Sequence, residues 1–228
     1  DADPADCYRA GKLKKAYADR PLHRVTAETL IPAIPDTSPG TFNRYANLVT
    51  AALNQARKSG LIDTIPHLEK KKQAAGRIRW LTPAEWKRLD RALPEHLKPL
   101  ARFALATGLR QRNVTHLEWS QVDLARKVAW IHPDQAKSRR AIGIPLSTAA
   151  VAVLKGQQGR HDQWVFPYHG KPLDRIKGGK ASPKSKGGAF QRAVARAGIK
   201  DFTWHDLRHT WASWHVQAGT PLHILKEM

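Results

Sequence analysis

Apolar residues recur at helical spacing through much of this chain, most clearly between Thr41 and Gly60. In TFNRYANLVTAALNQARKSG, Leu48, Val49, Ala52, Leu53 and Ala56 fall on one face and Gly60 supplies a stop, which predicts an amphipathic helix. A shorter helical pattern lies near Ala10 to Asp19, and a Pro-rich stretch from Ile31 to Gly40 separates the two. Residues 1–68 therefore read as a small all-helical domain, expected to be incomplete at its start.

The pattern breaks at residues 69–79. EKKKQAAGRIR has little apolar periodicity and five basic residues, and it reads as an interdomain linker in preference to a solvated helix end. Its position decides this, because Thr82-Pro83-Ala84-Glu85 follows with an N-cap, a proline at the first helical position and a capping-box glutamate. A second domain, residues 80–228, is expected to begin there. Its pattern predicts helices over Pro83 to Leu93 and Glu95 to Thr107, the latter stopped by Gly108, and a short helix through Val114 to Leu117. Two short strands, Val128 to Ile131 and Ala141 to Pro145, flank a polar turn. Helices resume over Ser147 to Lys155, Gly188 to Ala197 and His205 to Ala218, with another after Thr220-Pro221. The fold class is thus mainly α with a small antiparallel β-hairpin. Lys171 to Gly188, with four glycines and spaced lysines, reads as a long basic loop.

Charge changes the picture more than any other bulk property. Lys and Arg number 39 against 19 Asp and Glu, a formal net charge of +20, which favours a polyanionic partner, nucleic acid first. Membrane-surface binding ranks lower, because the basic residues are spread through globular segments and do not decorate one amphipathic helix. The single cysteine, Cys7, excludes an intrachain disulfide and a Cys-based zinc site. No apolar run approaches the roughly 20 residues that span a bilayer, and the polar start DADPADCYRAGK lacks the apolar stretch of a secretory signal. The expected setting is the cytoplasm, in association with the nucleoid. No glycine-lysine pair is followed by Ser or Thr, which removes a P-loop.

Phosphoryl transfer on a nucleic-acid backbone needs fixed positive charge on the non-bridging oxygens, where negative charge grows in the transition state. Arginine suits that role through its planar fork and permanent charge. Arg110 follows Thr107-Gly108-Leu109 at a helix junction, and Arg208 lies one turn into the helix that begins near His205.

Three stretches taken together carry a family resemblance. ATGLRQRNVTHLEWSQVDL (Ala106 to Leu124) resembles the first conserved box of tyrosine recombinases, the phage integrase family, and HDLRHTWASWHVQAG (His205 to Gly219) resembles the second. Between them, AWIHPDQAKSRRAIGIPLS (Ala129 to Ser147) resembles the β-hairpin that carries the family's catalytic lysine. The resemblance spans roughly Thr82 to the chain end and implies a tyrosine-recombinase catalytic domain preceded by a helical core-binding domain. It implies that Arg110 and Arg208 clamp the scissile phosphate, that Lys137 protonates the departing 5′ oxygen and that His205 assists proton transfer at the attacking hydroxyl. Among the basic residues of the turn, Arg139 and Arg140 are too weakly acidic to give up a proton, which favours Lys137 as donor. His209 is expected to be buried and to support the arginine, and Trp211 and Trp214 to serve packing.

The resemblance further implies double-stranded DNA at attachment sites as substrate, no metal or nucleotide cofactor, a 3′-phosphotyrosine intermediate and a homotetramer of the intact protein on DNA. Candidate DNA contacts are Asn43, Arg44, Lys70, Lys71, Lys72, Arg77, Arg79, Arg139, Lys180, Lys184 and Lys186. Two departures stand out. Asn113 occupies a position where many members carry an acid that orients the first arginine, and the chain ends at LHILKEM, before the family's further His or Trp and its nucleophilic tyrosine. Tyr8, Tyr17, Tyr45 and Tyr168 are expected to be structural, so the chain as given is expected to bind DNA without cleaving it. Three alternatives differ in class or chemistry: a non-catalytic DNA-binding relative; a type IB topoisomerase; and a zinc hydrolase at His205 and His209, which share the i, i+4 spacing of H-E-x-x-H but flank Asp206 in place of its glutamate.

Overall fold

The computed structural model describes residues 4–17, 21–74, 76–77, 79–135, 141–174, 176 and 187–227. They form two compact units, Asp1–Gly76 and Arg77–Met228, and the division falls inside the basic stretch 69–79.

The first unit is built from α1 (Pro4–Tyr17), α2 (Ala27–Leu30) and α3 (Pro39–Lys58). A reciprocal capping box between Thr26 and Thr29 starts α2, and Pro39 sits in the first turn of α3, where a missing N–H costs nothing. The buried face of α3 is Phe42, Tyr45, Ala46, Val49 and Leu53, which pack with Leu30, Ile34 and Leu68. This face is turned from the one predicted: Leu48 and Ala56 lie at its margin and Ala52 is exposed. The two aromatic residues, which aliphatic spacing alone does not weigh, bury the most area and set the roll of the helix. Residues 69–74 lie along α3, because the Asn43 side chain donates to Lys71 O and accepts from Lys71 N, both at 2.9 Å. The Lys71 ammonium stands 4.5 Å from the Phe42 ring centroid.

In the second unit the capping box is formed as the sequence predicts. Thr82 Oγ1 accepts from Glu85 N at 3.2 Å and Glu85 Oε2 accepts from Thr82 N at 2.9 Å, opening α4 (Pro83–Ala92). Then come α5 (Lys98–Thr107) and α6 (Gln111–Thr115). A three-stranded antiparallel sheet follows, in the order β1 (Val122–Asp123), β2 (Val128–Ile131), β3 (Ile142–Pro145), with Ala129 opposite Ile144 and Ile131 opposite Ile142. Ala129 and Ile131 point into the core while Trp130 points out. Next are α7 (Thr148–Lys155), capped by Ser147, and a second hairpin of β4 (Pro167–Tyr168) and β5 (Lys171–Pro172). The hairpin turns through His169 and Gly170 at φ +52° and +73°, the two positive angles of a type I′ turn. The helices α8 (Ala189–Arg196), α9 (Asp206–Gln217) and α10 (Leu222–Glu227) complete the unit. Helix α5 is its centre, packed on α7 and α9, with Phe103 fully buried against Phe166.

Candidate active site

Arg110 takes its place from a helix stop. Gly108 ends α5 at φ +65°, a left-handed conformation glycine adopts without strain. Its missing side chain also makes room for Trp211: a Cβ at Gly108 would lie 2.4 Å from Cδ2 and Cε3 of that indole. The chain then turns into α6 with Arg110 at the N-cap position, exposed and extended.

Arg208 comes from α9, and its guanidinium donates to the carbonyl oxygen of Gly108, two residues before Arg110. The two box-like stretches, a hundred residues apart in sequence, therefore meet at one backbone carbonyl. Burial, and then the nearby charge of Arg110, lower the pKa of the half-buried Arg208. Among the described residues neither arginine is ion-paired to a carboxylate. Two guanidiniums that repel each other without a counter-charge make a site for an anion, and their forked donors suit the oxygens of a phosphate.

His205 stands just before α9 with its ring edge-on to His209, centroids 4.9 Å apart and planes at 89°. Its pKa is lowered, first by burial and then by His209, with Arg208 and Arg110 adding to this and Asp206 opposing it. At neutral pH the imidazole is therefore uncharged and able to accept a proton. His209 corrects the expectation of a buried support: it is exposed and shares the face of His205, because i and i+4 lie one above the other on a helix. Trp211 and Trp214 do serve packing, the first over Gly108 and the second by donating to Leu81 O at 2.8 Å. Lys137, Arg139, Lys180, Lys184 and Lys186 lie outside the described residues.

The remaining candidate contacts divide. Arg44, Lys70 and Lys72 are exposed on the first unit. Asn43 is buried in its double bond to Lys71, and Lys71 lies against Phe42, so both build the fold. Arg77 and Arg79 are likewise engaged within their own unit, in place of the free contacts expected of linker residues. Arg77 is paired with Asp206, and Arg79 with Glu85 at 2.6 Å, partners that linker composition does not disclose.

Three supporting residues carry no signal in the sequence, because their partners are remote along the chain. Gln121, almost fully buried, donates at 2.8 Å to both Trp130 O and Gln135 Oε1 and pins the point where the chain leaves β2 for the β2–β3 turn. Gln111 donates to Ile176 O at 3.3 Å, tying the start of the basic loop to the helix that follows Arg110. Asp206, the third, is the buried partner of Arg77. Among the described residues, no group of three His, Cys, Asp or Glu is placed to hold a metal ion. His205 and His209 could offer two nitrogens, but beside Arg208 and Arg110, whose charges repel a cation.

Comparison with known proteins bears on the family and the fold. A family model described as the phage integrase family matches residues 79–228. The integrase of Salmonella phage P22 is 46% identical over 229 residues, covering 97% of this chain and 55% of the relative, so the chain spans about half the length of that protein. The fold is shared with the Tn1549 transposon integrase in complex with a circular intermediate DNA, at TM-score 0.76 and 16% identity, covering 100% of this chain and 86% of that one. It is shared as well with lambda integrase in a tetramer bound to a Holliday junction, at TM-score 0.70 and 19% identity, covering 92% and 66%. The family-model match over all but the first two residues of the second unit, together with 46% identity to the phage P22 integrase across nearly the whole chain, places this chain in the phage integrase family of tyrosine recombinases.

Proposed function

We propose that this chain is the DNA-engaging part of a site-specific recombinase that breaks and rejoins duplex DNA at attachment sites through a 3′-phosphotyrosine link. The observation that carries the reading is that Arg208 is anchored on the carbonyl of Gly108, two residues before Arg110, close enough to feel that arginine's charge, with no carboxylate partner for either among the described residues. In the reaction the tyrosine oxygen bonds to phosphorus, the 5′ oxygen leaves, and the pocket holds the charge that develops on the non-bridging oxygens. Neutral His205 takes the proton of the attacking hydroxyl, and Lys137 gives one to the leaving oxygen. The phosphotyrosine conserves the energy of the broken phosphodiester, so no nucleotide cofactor is needed.

The attacking tyrosine is not among those of this sequence. Tyr45 is buried, Tyr17 donates to Thr29 O, Tyr8 lies on α1, and the Tyr168 ring contacts those of His96 and His169, the latter edge-on. The complexes of the transposon integrase with a circular intermediate DNA and of the lambda integrase tetramer with a Holliday junction support DNA as partner and a tetramer as the working assembly. Among the described residues no helix is long and apolar enough to cross a membrane, and the chain is proposed to act in the cytoplasm, at the nucleoid.

The test is binding of the 228-residue chain to a mixed-sequence duplex by fluorescence anisotropy across a salt series. Contact with about six phosphates gives a log–log slope near −5 and about a 10³-fold loss of affinity between about 50 and 200 mM salt. Because both arginines are read as clamping one phosphate, the double variant Arg110→Ala, Arg208→Ala should reduce that slope by about one. An unchanged slope in the double variant would remove the arginine pair from DNA binding. A detergent-resistant adduct on a nicked duplex would show that a tyrosine of this chain is the nucleophile after all.

A further inference from the structure

Arg77 opens the second unit, and its guanidinium donates to the carboxylate of Asp206 and to the carbonyl of Asp201. Asp206 is the first residue of α9, directly after His205, and only 4% exposed. One of its oxygens also accepts from Thr203 N at 2.7 Å and Thr203 Oγ1 at 2.9 Å. A single buried carboxylate thus gathers the turn that launches the helix bearing Arg208, and Arg77 is its ion-pair partner among the described residues. A carboxylate in that setting needs an opposite charge, since desolvation without one is costly.

The seam continues along the helix. Thr210 Oγ1 accepts from Leu81 N at 3.0 Å, and Trp214 Nε1 donates to Leu81 O at 2.8 Å. Asp206, Thr210 and Trp214 are four residues apart and share one face of α9, while His205, Arg208 and His209 occupy another. One face is thereby held by Arg77 and Leu81, while the other carries Arg208 to the Gly108 carbonyl beside Arg110.

We propose that Arg77 is a positioning residue for the phosphate-binding site, acting through Asp206 to seat the first turn of α9 and with it His205 and Arg208. The proposal rests on the reading of Arg110, His205 and Arg208 as that site. It goes further by assigning to the chain's entry segment the placement of the proton-accepting imidazole. The groups that bear on His205 are His209 and Arg208 on its own helix, Arg110 at the head of α6, and Asp206, the one group among these that favours the imidazolium. Arg77 offsets the charge of Asp206, so removing it leaves the pull of that carboxylate on His205 unopposed.

The test is an NMR titration of the histidine ring protons in the full 228-residue chain, with the His205 signal assigned by its loss in His205→Asn. Arg77→Met should raise the His205 midpoint by about half a pH unit or more, and Arg77→Lys, which restores the charge, should return it towards the wild type. Asp206→Asn should move the midpoint the other way, and it reads the same coupling if Arg77→Met does not fold. A midpoint in folded Arg77→Met equal to the wild type would overturn the proposal, as would an Asp206→Asn midpoint that does not fall. This titration needs no DNA. A positive result beside an unchanged salt slope in the Arg110, Arg208 double variant would therefore keep the positioning role and discard the phosphate reading.

Discussion

Replacing Gly108 with alanine tests how the arginine pocket is built, because that residue serves two demands at once. Its φ of +65° would place an alanine in the left-handed region, at a cost of about 1–2 kcal/mol. The new methyl would stand 2.4 Å from two carbons of Trp211 and 2.9 Å from a third, all in a rigid ring. Trp211 is itself buried, so the clash is relieved only by shifting packed atoms, typically about 1–3 kcal/mol. The sum is about 2–5 kcal/mol, or a fall in Tm of roughly 4–20 °C for a domain of this size. Gly159→Ala provides the comparison: Gly159 has φ +75°, but a methyl group there would meet nothing within 4 Å, and it should show the backbone cost alone. All eight tryptophans lie after residue 77, so tryptophan fluorescence follows the second unit without interference from the first. Gly108→Ala melting no earlier than Gly159→Ala would refute the claim that indole contact dictates glycine here. If the reasoning holds, even the folded variant should bind duplex DNA more weakly, because the carbonyl that receives Arg208 moves with the clash.

Two further outcomes follow from the same physics. The Arg79 guanidinium beside Glu85 holds that carboxyl at about 2, against an ordinary value of 4.5. The stabilisation is present in full above 4.5 and is lost as pH falls towards 2; the fluorescence-detected acid transition of Glu85→Gln should accordingly be shallower over that window, and an unchanged transition would count against the ion pair. In the first unit, Asn43→Ala removes both bonds to Lys71 and should cost about 1–3 kcal/mol. Trypsin should then cut after Lys70, Lys71 or Lys72 several-fold faster, and an unaltered cleavage rate would mean that the strap is held by something else.

What the sequence discloses here depends on how far apart the partners lie. The α4 capping box is written within four residues, Thr82 to Glu85, and the end of α5 at Gly108 within one; both form as the sequence predicts. Strands β2 and β3 alternate long enough to be recognised, whereas β1, β4 and β5 are two residues each and show no period. Helix α5 begins at Lys98, after the turn closed by Leu97 N to Pro94 O, and not at Glu95. The two arginines of the pocket are legible because their flanking stretches resemble known boxes. Arg77 and Arg79 are not, because composition shows only that they are basic, while the fate of Arg77 is decided by an aspartate 129 residues away. The exposure of His209 is hidden for a related reason: burial depends on which side of α9 meets the core, and the bonds of Thr210 and Trp214 to Leu81 decide that.

Those two bonds and the Arg77 pair have a mechanical meaning. A helix held by one contact can roll about its own axis, but attachments at Asp206, Thr210 and Trp214, spread over two turns, resist torsion. Reactive groups tolerate only about 10–20° of misalignment, and a displacement of about 1 Å can cost roughly a hundredfold in rate. Arg208 reaches outward on a long side chain, where a small roll becomes a large arc. Arg77 and Leu81 thus act together as a torsional lock, and changing their spacing by one residue should be worse for the site than any single surface substitution on α9.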